Sequence, residues 1–431
     1  MNDVEAHFAA IAATHPRCFW LDTADGSGGS LLGWLDDDDP SLTYDAERGE
    51  VTRHRAGRAD VVRLGIFEAL ETELRDSAED DLWVGILGYA CRDDLPVSAG
   101  SGLPDAVWMR ARHVVALDHP TGAPPTAEPT DPAPPTDPAD PTDSADSADR
   151  VGYDGAFAEV QRRLRAGDSY EVNLTYRAEA TSGLDPVTAY LRLRRLNPAP
   201  YAGFLQHDVP GARAWLLSSS PERFATIGPD RVLETRPIKG TTPRHPDPAR
   251  DRAEAERLRT DARFRAENLM IVDLLRNDVA SVSSPGTVEV PRLMEVESYR
   301  AVHQLVSTVR GTLRPELSTI AALRSLFPPG SMTGAPKLRT MEIIRRVEAT
   351  PRGLYSGAFG WIAPDGRADL AVVIRSLVTA GDGRWIAGTG GGITVDSDAE
   401  EEYAESRWKI GRVLRALSGR ESDPAVGRAG Y

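Results

Sequence analysis

Apolar positions recur along this chain in two rhythms, one of strands and one of helices. Arg17-Cys-Phe-Trp-Leu21 and the stretch 81–89 are dense apolar runs of strand length, and 59–76 carries Val62, Phe67, Leu70 and Leu74 at roughly helical spacing. From Tyr153 the pattern tightens: Phe157, Val160 and Leu164 share one helical face of 153–166, and Gly167 stops that helix as a glycine cap does. The next segment, 169–177, alternates as a strand, with Tyr170, Val172, Leu174 and Tyr176 on one face and Glu171, Asn173, Thr175 and Arg177 on the other. A helix at 185–196 and strands at 201–207, 213–219 and 222–227 follow. Leu258, Ala262, Leu269, Val272 and Leu275 predict one long helix over 251–275. Strands near 287–290 and 305–310, helices at 316–326 and 338–347, and strands at 354–361, 370–378 and 385–393 lead to a terminal helix, 399–417. That helix buries Ile410, Val413, Leu414 and Leu417, spaced i, i+3, i+4, i+7.

This succession reads as a large α/β fold with an N-terminal subregion, 1–117, and a densely patterned region, 151–420. Between them, 118–150 is a tract of Pro, Thr, Ala and Asp with eight acids against one base, Arg150. Such a segment buries too little apolar area to offset chain entropy, so it is expected to be a disordered acidic linker. The formal net charge of −15 argues against nucleic acid or an anionic membrane surface as the main partner. No basic segment followed by an apolar core opens the chain, and no apolar run nears the roughly 20 residues that span a bilayer. The protein is therefore expected in the cytoplasm.

Several residues stand where chemistry is possible. In Glu234-Thr-Arg-Pro-Ile-Lys239-Gly-Thr241, Pro237 presets φ and Gly240 removes a Cβ, so Lys239 sits on a constrained bend. There it is either a solvated turn residue or a buried amine able to act as base or nucleophile. Arg375 interrupts the apolar run Leu370 to Val378 and needs an anion. Gly390-Gly-Gly-Ile393 presents consecutive unshielded amides, a carboxylate nest or simply a tight turn. Glu402, Glu405 and Lys409 form a polar stripe on the last helix, either a salt-bridged surface or half of a cation site completed by Glu267. His303 alone says little. Cys18 and Cys91 lie in no nucleophile turn, so any glutamine hydrolysis falls to a separate protein.

Taken together, the ordered runs Ser169-Tyr-Glu-Val-Asn-Leu-Thr175, Ser220-Pro-Glu-Arg-Phe224, Arg236-Pro-Ile-Lys-Gly-Thr241, Arg265-Ala-Glu-Asn-Leu-Met-Ile-Val-Asp273, Leu274-Leu-Arg-Asn-Asp278, Val296-Glu-Ser-Tyr299, Gly330-Ser-Met-Thr-Gly-Ala-Pro-Lys337, Gly390-Gly-Gly-Ile393 and Glu402-Tyr-Ala-Glu405 resemble the chorismate-utilising enzymes. The resemblance is dense over 153–417 and weak before 117. It implies two facing β-sheets flanked by helices, with Mg²⁺ held by Glu267 and Glu405 and with Glu402 close by. It implies that Arg375, Tyr355, Lys409 and the amides of Gly391 and Gly392 hold the substrate's carboxylates. Gly240 and Thr241 would line the pocket, and His303 would lie near the ring. Members that make anthranilate read Pro-Ile-Ala-Gly where this chain has Lys239; a lysine there implies amination of chorismate to 4-amino-4-deoxychorismate. In that reaction Lys239 is the nucleophile and Glu222 the general acid and base, and ammonia comes from a glutamine amidotransferase subunit. The alternative within the family is anthranilate synthase component I. Two departures stand out: Glu171 replaces the Gln of many relatives and the Lys of isochorismate-forming ones, and Phe264 stands where relatives often carry an acid.

Overall fold

Strand alternation is the main organiser of the molecule, but most strands bury both faces. The computed structural model describes residues 3–24, 29–117, 143–299 and 302–418. Two antiparallel sheets carry the fold. The first has nine strands in the order Gly334–Ala335, Glu171–Thr181, Arg384–Ile393, Ser376–Thr379, Ala214–Ser220, Tyr201–His207, Arg17–Asp22, Ser30–Trp34 and His113–Leu117. The second has twelve strands, running from Ile238–Pro243 through Val302–Thr312, Val232–Arg236, Arg223–Ile227, Ala368–Val372 and Ala358–Ile362 to the N-terminal strands, with Glu289–Ser298 on the other edge of Val302–Thr312. Strands of the N-terminal subregion enter both sheets, so the two halves of the chain share one body.

Apolar side chains of the two sheets meet directly. Phe19, Leu205, Leu216 and Val378 of the first pack with Val84, Ile86, Met109 and Phe359 of the second. The outer face of the first sheet is covered by the Asp3–Thr14, Pro186–Leu196 and Ala399–Leu414 helices through Phe8, Leu193, Ile410 and Val413. The outer face of the second is covered by Ile66–Arg75, Ala262–Val282 and Thr319–Leu326 through Phe67, Leu275 and Leu323. Among the described residues, no helix is long and apolar enough to cross a membrane.

Four expectations need correction. The stretch 59–76 is a strand, Arg58–Val62, followed by a helix, Ile66–Arg75. Val61 and Val62 belong to a hairpin whose turn residues, Ala56 and Gly57, both have positive φ, and Gly65 starts the helix only afterwards. The long helix is two, Pro248–Thr260 and Ala262–Val282: Asp261 is extended and caps the second through the Arg263 amide. The apolar run 370–378 is also two elements, because the chain leaves one sheet after Val372 and enters the other at Ser376. Of the expected linker, 118–142 lies outside the described residues, whereas 143–150 is already the start of the Asp143–Arg165 helix.

Candidate active site

Twice, side by side, the chain crosses from one sheet to the other. Ala214–Ser220 hands over to Arg223–Ile227 through Pro221-Glu222, and Ala368–Val372 hands over to Ser376–Thr379 through Val373 to Arg375. The crossings are laced together: the Val372 amide donates to the Glu222 carbonyl at 3.0 Å, and the Ser219 amide donates to the Arg375 carbonyl at 3.2 Å. Glu222 and Arg375 therefore project from main chain that belongs to neither sheet. Arg375 is held at φ +50°, in the left-handed region, consistent with a position fixed by its surroundings.

Lys239 comes from the edge of the second sheet. Val232–Arg236 and Ile238–Pro243 run successively along one side of Val302–Thr312, separated by Pro237. Between Ile238, opposite Val306, and Thr241, opposite Gln304, the register slips by one residue. The extra residue is a bulge at Lys239-Gly240, and Gly240 takes φ +90°. A Cβ on Gly240 would stand 3.1 Å from both Leu258 and Phe264, so two helices press this backbone close. The expected bend is thus a strand bulge, which swings Lys239 out of the ladder.

The Lys239 ammonium donates to Glu171 Oε1 on the first sheet. Only 1% of the Glu171 side chain is exposed, and its Oε2 has no hydrogen-bond partner among the described residues. The backbone of Gly392 passes beside this pair; a Cβ there would overlap Glu171 Oε1 and lie 3.0 Å from Lys239 Nζ. Burial opposes the Lys239 charge, but Glu171, Glu267 and Glu222 outweigh it and hold the ammonium above its ordinary range. Burial pushes Glu222 up to about 7, against the opposing pull of the Ser331 hydroxyl and Lys239. A carboxyl that is neutral up to neutral pH beside an amine suits a general acid and a nucleophile.

A second group of charges adjoins the first. Arg263 reaches Glu267 at 3.2 Å and Glu402 at 3.3 Å, bridging acids from two helices distant in sequence. Lys409 pairs with Glu405 at 2.7 Å and donates to the Gly390 carbonyl at 3.1 Å. Burial, with the Glu405 charge adding to it, raises Glu402 to about 7, although Ser397 donates to it at 2.8 Å. Lys409 pulls Glu405 down, against burial. A Cβ on Gly391 would come within 3.1 Å of Glu402 and 3.9 Å of Lys409. Among the described residues, no three His, Cys, Asp or Glu side chains form a ready cation cage. Mg²⁺ asks for less: one or two carboxylates, waters and substrate oxygens. Glu267, Glu402 and Glu405 offer oxygens of that kind, and in the structure Arg263 and Lys409 are paired with them, so a cation would take the place of those pairings.

The remaining residues singled out in the sequence divide. The Arg375 guanidinium has no hydrogen bond or ion pair among the described residues; burial and the nearby Arg412 hold it down to about 10, with Glu405 and Tyr355 opposing. Burial pushes Tyr355 up to about 12, and its ring lies under the Arg177 guanidinium at 5.0 Å. Thr241 is half-buried on the bulged strand. His303 has both ring nitrogens engaged, by Ser298 Oγ at 2.7 Å and Asp251 at 3.0 Å, in a network that also holds Arg244. Sequence reasoning missed Arg263, whose i, i+4 spacing to Glu267 was a usable signal, and gave Ser331 no role although it lies in the matching run 330–337. Phe264 packs on Gly240 and offers no donor.

Comparison with known proteins agrees with this architecture. The family model for chorismate binding enzymes matches residues 17–415. An aminodeoxychorismate synthase of Streptomyces pristinaespiralis is 40% identical over 96% of this chain and 64% of its own length. Aminodeoxychorismate synthase component 1 of Escherichia coli is 45% identical over 62% of this chain and 58% of its own length. The chain thus spans less than two thirds of these relatives. Anthranilate synthase component 1 of Streptomyces coelicolor is 37% identical over 78% of this chain. In fold, the chain is similar to anthranilate synthase component I from Streptococcus pneumoniae, with a TM-score of 0.72 at 24% identity over 91% of this chain and 92% of that one.

Proposed function

The chain belongs to the family of chorismate-binding enzymes, and from that membership we propose that it aminates chorismate at C4, giving 4-amino-4-deoxychorismate for 4-aminobenzoate and folate synthesis. The observation that carries this reading is a buried Lys239, held between the sheets by Glu171, within the field of a carboxyl, Glu222, that burial keeps neutral to about pH 7. In this reading Lys239 attacks ring C2, the ring double bonds shift, and Glu222 protonates the C4 hydroxyl as it departs as water. Ammonia then adds at C4 and Lys239 is expelled. The substrate's carboxylates are held by Arg375, Lys409, Tyr355 and the amides of Gly391 and Gly392, with Gly240 and Thr241 along the wall. His303 steadies the neighbouring strand through Asp251 and Ser298. Glu267 and Glu405 would hold Mg²⁺, with Glu402 beside them. When bound, the ion supplies charge neutralisation at the ring carboxylate.

Ammonia is proposed to come from a separate glutamine amidotransferase subunit. Two relatives' names, which call them component 1, support a partner, and so do the buried cysteines. Burial drives the thiols of Cys18 and Cys91 far up, away from the reactive thiolate that glutamine hydrolysis uses.

The test is direct. Incubated with chorismate, Mg²⁺ and ammonium, the protein is expected to form a product that an aminodeoxychorismate lyase converts to 4-aminobenzoate. Fluorescent anthranilate appearing without that lyase would refute the reading in favour of anthranilate synthase. Lys239→Ala is expected to abolish amination while chorismate still binds; unchanged turnover would remove the amine from the mechanism.

A further inference from the structure

The resting Lys239 is an ammonium, and an ammonium has no lone pair with which to attack carbon. Some group must take its proton. Glu222 is neutral until about pH 7 and is committed to the leaving hydroxyl. Glu267 makes its ion pair with Arg263, and no ion pair joins it to Lys239. Glu171 alone, among the described residues, accepts a hydrogen bond from Nζ. It is almost fully buried and reaches across from the other sheet, past a glycine whose side chain would block it. Its Oε2 has no partner to lose when the carboxyl gains a proton.

Building on the amination reading, we propose that Glu171 is the base that turns the Lys239 ammonium into the attacking amine and returns the proton when Lys239 is expelled. In the first half, the proton moves from Nζ to Glu171, the Nζ lone pair forms the bond to C2, and the C4–O bond breaks with the Glu222 proton leaving in water. Glu171 is then neutral, Glu222 charged and Lys239 a secondary ammonium on the ring. In the second half, ammonia bonds to C4 and the Nζ–C2 bond breaks. Glu222 takes a proton from the new C4 ammonium, and Glu171 gives its proton back to the freed amine. Every group ends as it began.

The charged groups acting on the pair are Glu222 between the sheets, Glu267 on the Ala262–Val282 helix and Glu405 on the Ala399–Leu414 helix, with Arg263, Glu402 and Lys409 adjoining those acids. The experiment follows adduct formation on the intact protein by mass spectrometry after mixing with chorismate and Mg²⁺ without ammonium. Glu171→Gln keeps an accepting oxygen but no base. At pH 7 it is expected to slow the adduct about 100-fold. The ratio of variant to wild-type rate, in which the Glu222 titration cancels, should then climb about tenfold per pH unit from 7 to 9 as solvent deprotonates the lysine. Glu171→Asp should restore part of the rate at pH 7. An unchanged rate in the Gln variant, or a slow rate that does not recover with pH, overturns the proposal; the latter result is what a purely structural role would give. A wild-type protein that aminates chorismate yet never gains the adduct mass overturns the nucleophilic lysine itself.

Discussion

Glu222→Gln should remove activity and, at alkaline pH, stabilise the fold. The Glu222 carboxyl is buried, and burial lifts it from an ordinary 4.5 to about 7. The native state therefore keeps a proton over a range of pH in which the unfolded chain has lost it. Stability falls as pH rises through that window, from the unfolded value to the folded one, and stays low above it. At about 1.4 kcal/mol per tenfold, the gap corresponds to about 3 kcal/mol by pH 8. Glutamine has the shape of the neutral acid, keeps an oxygen for Ser331 and cannot ionise. Urea unfolding of both proteins at pH 4.5 and pH 8 isolates this effect, because the difference between the two pH values cancels whatever the amide itself costs. The Gln variant is expected to gain about 3 kcal/mol over wild type between those pH values, with amination lost throughout. A stability difference independent of pH would mean that Glu222 is not driven toward its neutral form. Its assignment as the acid would then lose its physical basis.

Other sites give sharper local tests. Gly392→Ala puts a methyl into Glu171 Oε1 and against Lys239; since misplacement by about 1 Å can cost ~100-fold, turnover should drop by about that factor while the circular dichroism spectrum stays unchanged. Arg375→Lys keeps the charge but loses the planar fork, so KM for chorismate should rise at least ~10-fold with kcat less affected; an unchanged KM would take Arg375 off the substrate. Glu348→Ala would strip two buried guanidinium groups, Arg352 at 2.7 Å and Arg177 at 3.3 Å, of their carboxylate, and urea unfolding should show a loss of about 3–5 kcal/mol.

The helices and most strands were legible because their apolar residues repeat at the right period, yet sheet membership was not. Val372 and Leu377 look like one continuous apolar strand because strands buried on both faces lack alternation. Nothing local marks the crossing at Arg375 except the charge itself. The break at Asp261 was hidden in the same way, since Leu258 and Ala262 keep helical spacing across a residue that has left the helix. A strand with one apolar and one polar face usually turns the polar face to water. In Glu171–Thr181 both faces are buried at the business end: Val172 and Leu174 on one side and Glu171, Asn173 and Thr175 on the other, although Tyr170, just before it, is 70% exposed.

A polar strand face buried in this way could be named from the sequence, but its partners could not. Lys239 and Glu171 are 68 residues apart and on different sheets, so no periodicity links them. What brings them together is a one-residue bulge on one edge and a bare glycine backbone on the other. Ionic side chains crowded where sheet edges meet neighbouring helices would normally be driven out by their desolvation. Here each remains because a partner of opposite charge, or a proton, accompanies it: Lys239 has Glu171, Glu267 has Arg263 and Glu405 has Lys409, while burial favours the protonated forms of Glu222 and Glu402 up to about pH 7. On the proposed reading, a substrate carrying carboxylates would disturb that balance as it enters, and the groups with most freedom to respond are those whose protonation lies nearest neutrality.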